Sequence, residues 1–238
     1  MSDPNEFENE LAIFGAEHET AQQYFFSYVS LRGIAASNGD VLKSMNATPL
    51  FWLTVESAML LSAFIALGRI FDQKSDHNLD RLIGAASKQI ATFSREALAA
   101  RRRAEGRPVD ETELVVRNAY EPSAADFRSL RNEIRERRKI YEAKYRDVRH
   151  KVFAHRKVAD TGEANALLQG TTVDETKALF AFLDALEKAL WHLLHSGRKP
   201  TLVIKPFDLP PTKTAQLRSG EKIYQEVSAV LQQIARQA

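Results

Sequence analysis

The sequence reads as an all-α protein, an up-and-down helical bundle of about five or six helices with a C-terminal helical extension. Three observations lead there. Apolar residues recur at spacings of three and four over long stretches, which is the period of a helix face. Helix-opening pairs (Asp3-Pro4, Thr48-Pro49, Ser123 with Asp126, Thr172 with Glu175) stand just ahead of those stretches. The one piece that reads as extended, Thr201-Leu-Val-Ile-Lys205, is too short to found a sheet.

Taken in order, Asp3-Pro4 followed by Glu6 opens the first helix, with the aspartate capping and the proline in the first turn. Leu11, Phe14, His18, Ala21, Phe25, Tyr28 and Leu31 then form one apolar stripe to about Ile34. Ser37-Asn38-Gly39-Asp40 is a turn. Thr48-Pro49 opens a second helix, apolar on nearly every side from Leu50 to Phe71, as expected of the central helix of a bundle. Asp72 to Asn78 is a polar break. A third helix over about 79–103 turns Leu79, Leu82, Ile83, Ile90 and Phe93 inward. Residues 104–121 are polar and mixed, and read as a loop with a short turn.

Ser123 with Asp126 resembles a capping box and opens a long fourth helix. Its stripe is Phe127, Leu130, Ile134, Tyr141, Tyr145, Val148 and Val152. Gly162 and Gly170 bracket an irregular stretch. Thr172 with Glu175 caps a fifth helix that ends at His195-Ser-Gly197, with Pro200 beyond it. Pro206, Pro210 and Pro211 force a linker, and residues from about 213 to 236 form a last amphipathic helix. The expected organisation is one helical domain over 1–200, then a linker and C-terminal helix over 201–238 packed on that same domain.

Composition narrows the chemistry. With 44 % apolar residues among 238, the chain can bury a sizeable core. It has no cysteine, which excludes disulfides, thiol catalysis and cysteine-held zinc or iron–sulfur sites. The start, Met-Ser-Asp-Pro-Asn-Glu, lacks the basic and apolar regions of a secretory signal. The longest apolar run, Ala58 to Leu67, is broken by Ser62 and followed by Arg69 and Asp72, too short to span a bilayer. A soluble, cytoplasmic protein with no membrane partner is the expectation.

Net charge is only +2, but it is unevenly spread. The first 31 residues hold six acids and no Lys or Arg. Residues 128–157 hold twelve bases against four acids. A local field of that sign favours a polyanion. The alternative is a solvated face laced with i,i+4 pairs such as Glu142–Arg146.

The most informative phrase lies at the end of that basic segment, Arg149-His150-Lys-Val-Phe-Ala-His155. Histidine both takes and gives a proton near neutral pH. Arginine is the permanent cation that best matches a phosphate. Together they suffice to cleave a phosphodiester without a metal. On an ideal helix, however, residues six apart are separated by about 120°. His155 continues the stripe of Val148 and Val152, and Arg149 lies on its flank. Either the helix kinks or ends between them, or the site is assembled at a two-fold axis from two chains. His155 could equally be a partly buried histidine at a helix end, and Arg149 a cation favoured by the helix C-terminus.

The phrase resembles the Arg–polar–x(3–5)–His motif of the HEPN superfamily, and a second phrase resembles its abortive-infection, AbiU-type branch. There an early helix ends in Leu-x-Arg-hydrophobic-Phe-Asp, here Leu67-Gly-Arg69-Ile70-Phe71-Asp72, and a later one in Arg-x(3)-Phe/Val-Ala-His, here Arg149 through Ala154-His155. The likeness covers roughly residues 20–195 in order and spacing. It implies a helical, dimeric, metal-independent endoribonuclease, with RNA as substrate, no cofactor and no metal. His155 would then be the general base or general acid, Arg149 would offset charge on the phosphate, and His150 would orient His155 or bind phosphate. Lys144, Arg146, Lys151, Arg156 and Lys157 would hold flanking phosphates. A role as a toxin or in phage defence follows, with an antitoxin protein as a further partner. A reading from another class is a catalytically inactive helical dimer that uses the same basic surface to bind RNA, nucleotide or a partner protein.

Other features carry less. His192 and His195 lie three apart on one helix, but no third ligand stands with them beyond Glu187 and the more distant Asp184, so they read as helix C-terminal partners. Tyr24, Phe25, Phe26 and Tyr28 read as core. Asp72 and Asp76 read as a helix-end turn. No phosphate-cradling glycine loop, Gly-x-Ser-x-Gly elbow or kinase phrase occurs.

Overall fold

A computed structural model describes residues 5–146, 172–212 and 216–237. These residues form nine α-helices and no strand. They are α1 (Glu6–Ser37), α2 (Gly39–Ala47), α3 (Pro49–Phe71), α4 (Leu79–Lys88), α5 (Arg95–Ala104), α6 (Val109–Arg117), α7 (Ala124–Ile140), α8 (Val173–Ser196) and α9 (Ser219–Gln237). A 3₁₀ turn, Ile90–Phe93, separates α4 from α5, and a π-helical turn, Tyr141–Tyr145, continues α7. The all-α class is as the sequence predicts, with the chain more finely divided than the sequence suggests.

The division has local causes. Asn38 caps α2 by accepting from the Asp40 and Val41 N–H groups at 3.1 and 3.2 Å. The helix expected over 79–103 is two helices, because Ser94 accepts the Ala97 N–H at 3.2 Å and starts a new one. The expected loop at 104–121 holds α6, which follows Pro108, has Asp110 and Glu111 in its first turn and ends in Arg117. Its only buried side chain is Thr112, so it has almost no apolar stripe to betray it. The caps read from sequence at Ser123 and Thr172 are in place, while Asp3 and Pro4 lie outside the described residues. Asp126 accepts the Ser123 N–H at 2.8 Å, and Thr172 Oγ1 accepts the Glu175 N–H at 3.1 Å. Gly197, at φ 57°, ends α8 where a Cβ would lie 2.6 Å from that of Ala119.

Two compact units are distinguished. The first comprises residues 1–16, 69–142 and 181–205. Its core is a chain of rings: Phe7 edge-on to Phe93 at 5.0 Å, Phe93 against Phe127 at 5.6 Å, and Phe71 stacked on Tyr141 at 5.2 Å. Leu82, Ile83, Leu130, Ile134, Phe182 and Leu186 are buried with them.

The second unit comprises residues 17–68, 143–180 and 206–238. Phe25 and Phe26 pack on Phe180 at 5.2 and 5.7 Å, and Phe207 covers Phe26 at 4.3 Å. A further cluster joins Leu31, Ile34, Val41, Met45 and Leu231, with Trp52 and Tyr224 against it. The start of α9 approaches α1 closely enough that a Cβ on Gly220 would fall 2.3 Å from the Phe26 ring. Ser219 donates to Glu19 at 3.0 Å and the Gly220 N–H to Gln22 at 3.2 Å.

One expectation is corrected here. The helix read as central to the bundle, α3, is buried only toward its end, at Ala63, Phe64, Ala66, Leu67, Ile70 and Phe71. Leu50 is 80 % exposed, Phe51 59 % and Leu53 57 %. Hydropathy reports what a side chain would gain from burial, not whether a neighbour is there to bury it. By length and composition α3 is apolar enough to cross a membrane, although its longest unbroken apolar run is short, and 22 % of its most apolar window is buried.

Candidate functional site

The buried stripe of α7 runs Phe127, Leu130, Ile134 and Arg138, and Tyr141 and Tyr145 of the π turn are buried in their turn. Arg138 takes an apolar position because the first unit provides acceptors for it. Its Nε donates to the Phe71 carbonyl at 3.2 Å, and its Nη2 lies 2.9 Å from Asp80. Burial raises the Asp80 pKa, but hydrogen bonds from Arg138 and Gln73 and the charges of Arg138 and Arg131 outweigh it and hold the carboxyl below its ordinary range. The end of the Leu67–Asp72 phrase is thus fixed by a guanidinium from α7. Within that phrase Leu67, Ile70 and Phe71 are buried and Arg69 is exposed. Asp72 makes the helix-end turn expected of it, accepting the Lys74 N–H at 3.0 Å.

Beyond Ile140 the hydrogen-bond register widens into the π turn, a local change often found beside functional sites. In the second unit Tyr145 is fully buried against Phe64, ring centroids 5.7 Å apart. Its hydroxyl shares a hydrogen bond with Thr176 Oγ1 at 3.0 Å, and Thr176 Oγ1 also donates to the Thr172 carbonyl at 2.9 Å. Burial first, with a smaller push from Glu175, raises the Tyr145 pKa above its ordinary value. Beside it Lys144 makes a short ion pair with Glu175. That hydrogen bond, together with the charge of Lys144, holds Glu175 below the ordinary carboxylate range. The end of the π turn and the start of α8 are therefore tied by two contacts, Tyr145–Thr176 and Lys144–Glu175.

Of the predicted site residues, Lys144 and Arg146 fall among those described. Lys144 is half-buried in its pair with Glu175, and Arg146 is exposed. Arg149, His150 and His155, with Lys151, Arg156 and Lys157, lie outside the described residues. Part of the basic run serves the fold. Arg138 is used as above, Arg137 lies over the Phe182 ring at 5.6 Å, and Lys139 pairs with Glu136 at 2.7 Å. The sequence reading missed Arg138, although its place four residues after Ile134 on an apolar stripe was the available signal. It also missed the Tyr145–Thr176 contact, which joins residues 31 apart.

Elsewhere in the second unit a largely apolar groove of about 820 Å³ runs between α1, α2 and the exposed half of α3. Tyr28, Leu42, Met45, Trp52 and Leu53 line it, and Arg32 pairs with Glu56 along it at 3.4 Å. Val173, the residue after Thr172, lies on the same groove. In the first unit His195 faces Glu105 at 3.4 Å and packs on Trp191. No group of three or more His, Asp or Glu suited to a metal occurs among the described residues.

A helical chain whose basic long helix leads into an Arg–His phrase, with an early helix closed by Leu-x-Arg-Ile-Phe-Asp, is of the HEPN class. A family model for HEPN AbiU2 proteins (AbiU2) matches residues 4–209, and the chain belongs to that family. No curated protein and no solved structure matches it.

Proposed function

We propose that the protein is a metal-independent endoribonuclease of HEPN type, acting in phage defence or as a toxin. The observation that carries this reading is the Arg149-His150…His155 phrase in a chain that belongs to the family along most of its length. The RNA 2′-hydroxyl attacks its own phosphorus. One imidazole takes the hydroxyl proton and an imidazolium returns a proton to the departing 5′-oxygen, and His155 supplies this chemistry. The products are a 2′,3′-cyclic phosphate and a 5′-hydroxyl. Arg149 offsets the charge that builds on the non-bridging phosphate oxygens. His150 orients His155 or binds phosphate, and Arg146, Lys151, Arg156 and Lys157, with Lys144, hold the flanking phosphates.

The acting species in this reading is a homodimer, which allows two copies of the phrase to meet and removes the difficulty of side chains about 120° apart on one helix. Support comes from the exposed apolar half of α3, which lies along a largely apolar groove. A separate antitoxin is the natural restraint on such an activity.

The test is incubation of the purified protein with total RNA or tRNA in EDTA. Cleavage with cyclic-phosphate ends is expected, and His155→Ala is expected to abolish it with little change in thermal stability. RNA binding without cleavage would favour the inactive, RNA-binding reading. A His155→Ala protein whose folded fraction still cuts would remove His155 from the chemistry.

A further inference from the structure

One flank of α7 carries a ladder of like charge. Arg128, Arg131 and Arg135 follow one another at spacings of three and four, and Lys139 comes four residues later. On a helix such residues are neighbours, here within about 80° of one another around the axis. Arg128 and Arg135 are exposed and Arg131 is half-buried. The buried stripe adjoins the ladder on one side, and the exposed Glu133 and Glu136 stand on the other.

A face that is merely solvated sets an acid three or four residues from each base. This one does not. Among the positions three and four away from Arg128, Arg131 and Arg135 there is no acid, and the polar ones are Asn132, Arg138, Lys139 and the arginines themselves. The nearby carboxylates have other cations to answer. Glu136 pairs with Lys139 at 2.7 Å, and Glu133 stands one turn before Arg137. The charge of Arg131 reaches Asp80 on α4, but Asp80 is held by Arg138 at 2.9 Å and by Gln73 at 2.8 Å. Set against one another, these pairs leave Arg128, Arg131 and Arg135 over. None of the three makes an ion pair or a side-chain hydrogen bond among the described residues. The fold uses Arg138 on the Phe71 carbonyl and Arg137 on the Phe182 ring, and it makes no such use of these three. Cations one turn apart repel and weaken the helix that carries them. A repeated anion from outside the subunit relieves that repulsion.

We propose that this flank of α7 is a docking strip for the phosphate backbone of RNA, separate in sequence from Arg149 to His155. The proposal rests on the ribonuclease reading above and adds the kind of substrate, a chain long enough to lie along α7 while another part of it is cut. A regularly repeated cation fits a regularly repeated anion, and guanidinium is the side chain that best matches phosphate. From Arg128 to Lys139 the strip covers about 16 Å of helix axis, the rise of about five nucleotides of one strand.

The His155→Ala protein, in EDTA and over a series of salt concentrations, is titrated into labelled tRNA and into duplex DNA, with fluorescence anisotropy as the readout. Arg128→Gln/Arg131→Gln/Arg135→Gln on that background should bind tRNA about tenfold more weakly, and its slope of log affinity against log salt should be shallower by about 2, as three lost phosphate contacts require. Its Tm should be unchanged or higher, because like charges have been removed. Lysine at the same three positions should keep most of the affinity, since charge is what the strip supplies. With His155 intact, the Gln variant should raise KM for tRNA and leave kcat as it is. The two readings fail separately. Strip-dependent tRNA binding with no cleavage would remove the ribonuclease and keep the strip. Cleavage at parental KM in the Gln variant would remove the strip and keep the ribonuclease. The proposal is also overturned if the parent does not bind tRNA, if the Gln variant binds it like the parent or with the same salt slope, or if duplex DNA binds as tightly as tRNA.

Discussion

Arg138 shows how one side chain gives a helix terminus its position. Its guanidinium joins the Phe71 carbonyl and Asp80, so Arg138→Met leaves two acceptors of the first unit without their cation. Asp80 stays about one-third exposed, so water repays part of the loss, and a destabilisation of about 2 kcal/mol is expected in urea unfolding. Tyr145→Phe removes only the hydroxyl that meets Thr176, and about 1 kcal/mol is expected. If the Tyr145 contact also positions the Arg–His segment, RNA cleavage by Tyr145→Phe should fall by more than its folded fraction does. His192 has a pH signature of its own. Its folded pKa is depressed, so its contribution to stability is present above the ordinary histidine value of about 6.5 and is lost as pH falls through the folded value. His192→Gln should flatten that part of the stability-versus-pH curve.

At the scale of the element, α3 divides between two roles. Its second half is core, while its first half presents Leu50, Phe51 and Leu53 outward. Contiguous apolar surface of this kind marks an interaction face. Leu50→Glu with Leu53→Glu is expected to leave the Tm of the subunit nearly unchanged and to shift the protein from dimer to monomer in size-exclusion chromatography with light scattering. A parent protein that is already monomeric at micromolar concentration would refute the dimer. The opposite behaviour is expected at the start of α9. Gly220→Ala drives a methyl into the Phe26 ring, and an overpacking cost of about 1–3 kcal/mol should appear as a lower Tm.

For the whole molecule, charge governs the response to pH. Asp80, Asp126, Glu175 and Glu221 all have folded pKa values below their ordinary ones. Such groups stabilise above about pH 4 and lose that contribution as pH falls through their folded values, so a steep acid unfolding below about pH 4 is expected by circular dichroism. The helical class, the stripes of α1 and α7 and the caps at Ser123, Thr172 and Gly197 were legible in the sequence, because each depends on residues within a few positions of one another. The Arg–His phrase was legible in the same way, as a pattern of residue types. Arg138 on an apolar stripe, α6 with its single buried Thr112, the 3₁₀ break after Gln89 and the open half of α3 were not. Local spacing determined which residues become helix and which face is apolar. Only the tertiary structure decided which of those faces is covered, and which cation finds a carbonyl and a carboxylate far along the chain to receive it, since burial and desolvation depend on neighbours that sequence distance does not specify.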